Sequence, residues 1–153
     1  MKKDLIKEYV SIMEKVDKID YSEYKKRNNL VEKWFKLMEE IEKKEDFLSY
    51  LKFILSYNII TEDLLLNIAG VLAKYEPKIS KKLYSIINTP TSNLIFNRWN
   101  KIQKEIEEKN KKEIERYKKW KEENPEEHKK ILEEFNKILD NLEEKLKNKE
   151  KTL

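Results

Sequence analysis

Apolar residues recur at steps of three and four along almost the whole chain, which is the spacing of one face of an α-helix. The first segment shows this pattern in Leu5, Tyr9, Ile12, Val16 and Ile19. Between Leu30 and Ile41 two such rows run side by side, as in a helix that contacts two neighbours. Glycine occurs once and proline three times, too few for the turns of a sheet protein. The pattern therefore predicts an all-α fold.

Breaks in this pattern predict how the helices are grouped. The strongest internal break is the segment 88–92, Asn-Thr-Pro-Thr-Ser. It divides a compact bundle of about five helices, residues 1–89, from a different region, residues 90–153. In that region one long helix over 92–123 is followed by a second helix that begins at Pro125. The short connection predicts a long antiparallel hairpin, which either packs on the bundle as one domain or projects from it.

The last helix carries the repeat of a coiled coil, with apolar residues spaced alternately three and four apart. Together with two aromatic residues of the preceding helix, they form the candidate partner-helix seam. Its members are Tyr117, Trp120, Leu132, Phe135, Leu139, Leu142 and Leu146. The seam has two interpretations, packing within the chain or docking of a partner helix. A projecting hairpin would favour the second and, with it, self-association.

The amino-acid composition narrows the choice of fold class, location and partners. Charged residues make up 42% of the 153 positions and hydrophobic residues 39%, a balance that fits thin helical packing. The net charge of +4 comes from nearly equal numbers of bases and acids, which argues against a polyanion-binding tail. The chain has no cysteine, which predicts a cytoplasmic location. Since its apolar stretches fall short of the roughly 20 residues needed to span a bilayer, we expect no membrane partner.

Residues with catalytic potential are few. The single glycine, Gly70, excludes glycine-rich phosphate loops and is expected to allow close helix packing with its alanine neighbours. The single histidine, His128, is expected on the exposed first turn of the last helix. Paired glutamates lie beside lysines on predicted solvated faces. The sequence therefore predicts a protein that is not an enzyme and has no catalytic residues, cofactor, metal site or small-molecule substrate.

One segment has the charge expected of a nucleic-acid surface. Between Arg98 and Lys121 ten basic residues stand against five acidic ones. On a straight helix, the candidate contacts to a phosphate backbone align opposite the packing stripe. They are Arg98, Lys101, Lys112, Arg116 and Lys119. Glutamates four residues away from several lysines support the alternative of a solvated helix stabilised by ion pairs.

Two functions follow from these patterns. The first is a non-enzymatic interaction protein, such as a scaffold, adaptor or assembly subunit, which docks through amphipathic helix surfaces. The alternative is a small helical subunit that binds the backbone of RNA or DNA without base specificity.

Overall fold

The computed structural model describes residues 2–44, 46–56 and 62–151. Within these ranges every regular element is helical, which confirms the predicted all-α class. The helices are α1 (Lys2–Lys18), α2 (Tyr24–Glu42), α3 (Phe47–Ser56), α4 (Glu62–Tyr75), α5 (Pro77–Ile87), α6 (Pro90–Lys101), α7 (Gln103–Lys109), α8 (Lys111–Glu123) and α9 (Pro125–Lys151), with one turn of 3-10 helix at Tyr21–Glu23. Among the described helices, none combines the length and apolar character needed to cross a bilayer.

The N-terminal unit, Met1–Ile59, is built on three helices. Helix α1 packs against both α2 and α3, and Tyr9, Ile12 and Val16 of its apolar row are buried. At the centre of the unit the Tyr9 and Trp34 rings meet with their centroids 5.7 Å apart. Phe47, Leu51 and Ile54 of α3 are also almost completely buried, because this helix is apolar on most of its sides.

The C-terminal unit, Ile60–Leu153, is organised around α5. Helix α5 packs against α4, α6 and α9, while α8 packs against both α4 and α9. Inside the unit the Ser80 hydroxyl donates a hydrogen bond to the carbonyl oxygen of Ala69 at 2.8 Å, which satisfies a buried polar group between α4 and α5.

The division between the two units falls at 59/60, thirty residues before the predicted boundary at 89/90. Helices α4 and α5 pack with α6, α8 and α9, so the residues of the predicted hairpin belong to the same unit as α4 and α5. The break at 88–92 is real, but it is a corner between packed helices. Periodicity shows which side chains are buried and does not show which element covers them.

The predicted single helix over 92–123 is divided into α6, α7 and α8 by bends at Ile102 and Asn110. Their φ and ψ angles are −107° and 17° at Ile102, and −112° and 23° at Asn110. Helical hydrogen bonds continue past both residues, from Ile106 N–H to Ile102 and from Ile114 N–H to Asn110. The Asn110 side-chain amide donates to the carbonyl oxygen of Ile106 at 2.9 Å. Asparagine competes in this way with the helical backbone. The predicted single long helix over 92–123 is therefore divided into three helices.

Candidate functional site

A single carboxylate, that of Glu76, joins side chains from three parts of the C-terminal unit. Glu76 lies between α4 and α5, where the backbone leaves the helical conformation ahead of Pro77. Its Oε1 accepts a hydrogen bond from the Tyr117 hydroxyl at 2.8 Å and lies 3.0 Å from Nε2 of His128. The Lys121 ammonium lies 3.5 Å from the same oxygen. We call these four residues the Glu76 cluster.

Aromatic rings surround the Glu76 cluster and exclude most water from it. The Tyr117 ring meets Tyr75 edge to face at 5.5 Å and stacks on Trp120 at 6.1 Å. His128 lies edge to face with Tyr117 and Trp120. Burial, together with the negative charge of Glu76, raises the pKa of Tyr117 well above its usual value. The hydroxyl of Tyr117 therefore stays protonated and acts as a donor to Glu76.

The expectation of an exposed His128 is wrong. Its side chain is only 18% exposed and the side chain of Glu76 15%. Residues next to His128 in sequence are charged and exposed, and its main partner lies 52 residues earlier in the chain, beyond the reach of any local pattern. The short connection between α8 and α9 is the signal that could have placed His128 beside Tyr117 and Trp120.

An open groove of about 970 Å³ adjoins the Glu76 cluster. It is lined by the corner between α4 and α5, residues 74–78, and by parts of α7 and α8. The lining includes four glutamates, at 76, 107, 108 and 115, and the apolar surfaces of Tyr75, Pro77, Ile114 and Tyr117. Its lysines are Lys74, Lys78, Lys104, Lys111, Lys118 and Lys121. No pattern in the sequence singles out this set of residues, because its members come from separate helices.

All five candidate nucleic-acid contacts are exposed, but none of them lines the groove. Arg98 and Lys101 lie on α6, whereas Lys112, Arg116 and Lys119 lie on α8, beyond the two bends. The two bends therefore separate the candidate contacts into two groups. In the described part of the chain, Lys101, Lys112 and Lys119 make no ion pair within 4 Å, so the glutamates four residues away do not neutralise these three lysines.

The candidate partner-helix seam is largely covered by the chain itself. Five of its residues are buried, namely Tyr117, Trp120, Phe135, Leu139 and Leu142. Leu132 and Leu146 are half-buried. Helix α9 packs against α5 and α8, so the burial favours the interpretation of the seam as packing within the chain. A partner helix would have to dock on another surface.

Some large apolar side chains remain at the surface. Tyr24 and Phe35 of α2 are 61% and 51% exposed, Phe53 of α3 is 41% exposed, and Leu94 of α6 is 71% exposed. Phe35 stacks on the buried Trp34 with the ring centroids 6.0 Å apart. These residues belong to the apolar rows of the sequence, and periodicity alone does not show that they stay uncovered.

The described surfaces thus include one groove with charged walls and several exposed aromatic positions. Within the described ranges, no group of three or more His, Asp or Glu side chains is placed to hold a metal ion. Comparisons of the chain with known protein families, with curated proteins and with solved structures found no match.

Proposed function

We propose that this chain is a non-enzymatic helical interaction protein that docks a protein partner in the groove of its C-terminal unit. The supporting observation is the make-up of the groove, in which the half-buried Ile114 and the edges of the largely buried Tyr75 and Tyr117 are accompanied by charged side chains. Protein interfaces have this organisation, with an apolar centre and a polar rim. The groove replaces the predicted seam as the docking surface.

The predicted antiparallel helical hairpin of residues 90–153 is part of this proposal. Its coiled-coil seam faces inward and supports the groove from behind. The burial of Phe135 and Leu139 and the packing of α8 against α9 support this role. Helix α9 then helps to fix the positions of Tyr117 and Lys121, because its His128 contacts Glu76 in the Glu76 cluster.

Site-specific photocrosslinking in cells tests the docking proposal. A photoreactive phenylalanine derivative replaces Lys118, which lines the groove, or Lys129, an exposed residue of α9 outside it. We expect a discrete adduct with one protein from position 118 and none from position 129. Ile114→Asp places a charge on the apolar floor and should abolish the adduct while circular dichroism shows an intact fold. Equal adducts from both positions, or an adduct that survives Ile114→Asp, would contradict the proposal.

Binding of the RNA or DNA backbone is the second candidate function. The observation that favours it is the exposure of basic residues on α6 and α8, with Lys101, Lys112 and Lys119 making no ion pair in the described part of the chain. Their positive charge is not neutralised locally and remains available to phosphates.

A titration with labelled single-stranded and duplex RNA and DNA tests this candidate at two salt concentrations. Five phosphate contacts would weaken duplex binding roughly 500-fold between about 50 and about 200 mM salt. Lys112→Glu should weaken binding further, whereas Lys129→Glu on α9 should leave it unchanged. Absence of binding at the lower salt concentration would remove this function.

A further inference from the structure

The charges along the groove are unevenly distributed. Glu76 is engaged by Tyr117, His128 and Lys121. Besides Lys74, the lining then has four lysines, Lys78, Lys104, Lys111 and Lys118, and three glutamates. The lysines come from the corner between α4 and α5 as well as from α7 and α8. The three remaining glutamates come from α7 and α8 alone. A bound molecule would therefore meet positive charge along all parts of the groove and negative charge along only some of them.

The floor of the groove requires apolar contacts from its occupant. Ile114 is half-buried, and the rings of Tyr75 and Tyr117 pack edge to face with each other. These rings are only 6% and 4% exposed, so neither presents an open face on which a base could stack. Aliphatic side chains can cover such a floor, because they need no flat surface.

We propose that the groove binds an acidic, amphipathic polypeptide segment of a partner protein. This inference rests on the proposed docking function and adds the chemistry of the partner. Aliphatic side chains of the segment cover Ile114 and the edge of Tyr117, and its carboxylates face Lys78, Lys104 and Lys118. Such complementarity of charge fixes the register of a docked helix and raises its rate of association.

A polypeptide fits this charge pattern better than a nucleic acid does. A phosphodiester backbone carries a negative charge at every nucleotide and would be repelled by Glu107, Glu108 and Glu115 of the lining. A polypeptide can place neutral or basic residues opposite these glutamates and acidic residues opposite the lysines. The groove therefore selects for spaced carboxylates rather than continuous negative charge.

Two synthetic helical peptides of about 15 residues, about four turns, test the proposal by calorimetric titration of the full chain. Both carry leucines at the same positions, and the polar face is glutamate in one and lysine in the other. We expect the glutamate peptide to bind and the lysine peptide to bind at least tenfold more weakly. The double variant Lys78→Glu/Lys104→Glu should weaken binding of the glutamate peptide at least tenfold. The matched control Lys129→Glu/Lys130→Glu changes the charge equally on exposed residues outside the groove and should have no effect.

The outcomes separate this inference from the docking function. If the glutamate peptide does not bind, or binds the Lys78→Glu/Lys104→Glu variant equally well, the proposal of an acidic partner segment is overturned. If the crosslink from position 118 still depends on Ile114 in that case, the docking function stands with a partner of different chemistry. If the crosslink is also absent, both proposals fall. A last outcome is that single-stranded RNA binds the native chain but does not bind the same double variant. This result would show that the groove binds phosphate, and it would also overturn the inference.

Discussion

Two buried tyrosine hydroxyls of the C-terminal unit have opposite surroundings. The hydroxyl of Tyr117 donates to the carboxylate of Glu76. That of Tyr84 is buried and has no hydrogen-bond partner in the described part of the chain. Burial raises the pKa of Tyr84 to about 12, and the neighbouring Trp99 opposes this only in part. The Tyr117 hydroxyl therefore has a charged acceptor, while the Tyr84 hydroxyl is desolvated and is compensated only weakly, by Trp99.

Replacement of each tyrosine by phenylalanine should shift stability in opposite directions. Tyr84→Phe removes the unpartnered hydroxyl, keeps the ring contact with Phe96 at 5.6 Å, and should raise the free energy of unfolding by about 1 kcal/mol. Tyr117→Phe removes a hydrogen bond to a carboxylate and should lower it by about 2 kcal/mol. Urea denaturation at neutral pH measures both. A loss of stability in the Tyr84→Phe variant would show that its hydroxyl is satisfied.

Gly70 offers a second test at the scale of one residue. It lies within α4, and a Cβ atom placed on it would meet the Trp99 ring at 3.6 Å, an ordinary van der Waals distance. Gly70→Ala should therefore raise the free energy of unfolding by about 1 kcal/mol, because alanine restricts the unfolded chain and favours helix. Gly70→Leu is the control, since its longer side chain must displace Trp99 and should destabilise. Thermal denaturation of both variants decides whether the glycine is required for close packing.

The corner between α5 and α6 shows how a short segment ends one helix and starts the next. Asn88 ends α5 in the left-handed conformation, with φ 44° and ψ 52°. The Thr89 hydroxyl then accepts a hydrogen bond from the Ser92 N–H, and the Ser92 hydroxyl accepts one from the Thr89 N–H. This reciprocal capping box, followed by Pro90 in the first turn, fixes the start of α6.

Substitutions at Asn88 test the strain at this corner. Asparagine and glycine tolerate the left-handed conformation, whereas alanine pays about 1 to 2 kcal/mol for it. We expect Asn88→Ala to lower the free energy of unfolding by about 1 kcal/mol and Asn88→Gly to leave it within about 0.5 kcal/mol of the native value. Chemical denaturation of the pair gives the comparison. Equal stability of the two variants would mean that the corner relaxes out of the left-handed conformation.

The bends in the segment 90–123 differ in origin from the corner at 88–92. At Ile102 and Asn110 the helical hydrogen bonds continue, so neither position is a break of the kind seen at 88–92. The local sequence supplies asparagine at one bend, but Ile102 is an ordinary helix residue. Ile102 lies where the packing partners of the segment change, since α6 packs against α5 whereas α8 packs against α4 and α9. Propensity sets the elements of this region, and packing sets their directions.

At the scale of the whole molecule, buried tyrosines couple stability to alkaline pH. Burial raises the pKa of Tyr9 in the N-terminal unit and of Tyr84 and Tyr117 in the C-terminal unit. A pKa that is higher in the folded state than the unfolded value of about 10 means that the folded state holds its proton more tightly. The stabilisation is complete below pH about 10 and is lost as the pH rises through the folded pKa, which for Tyr84 is about 12.

We therefore expect the free energy of unfolding to fall steeply above pH about 10. Each buried tyrosine contributes a slope of up to about 1.4 kcal/mol per pH unit in the range between its two pKa values. Urea denaturation at pH about 8, 10 and 11 measures the slope. The Tyr84→Phe variant should show a shallower slope, which assigns that part of the pH dependence to Tyr84. A constant free energy across this range would contradict the prediction.

Local patterns along the chain were enough to predict the all-α class and many local features of the helices. Periodic apolar residues, one glycine and few prolines specify helices through local hydrogen bonding and one-sided burial, and these act over a few residues. The corner at 88–92 and the start of α9 at Pro125 were predicted for the same reason, since capping residues and proline act on their immediate neighbours. The inward-facing residues Phe135 and Leu139 were also identified, but not what covers them.

Which helices share a core, and which side chains meet, depends on long-range packing and could not be predicted from spacing. The grouping of α4 and α5 with α6, α8 and α9 depends on how apolar faces match in shape, and spacing does not encode that match. Glu76, Tyr117 and His128 come together from positions up to 52 residues apart, and the lysines of the groove come from three separate segments. Long-range packing brings these groups together, because it gains free energy from burial that no single helix provides on its own.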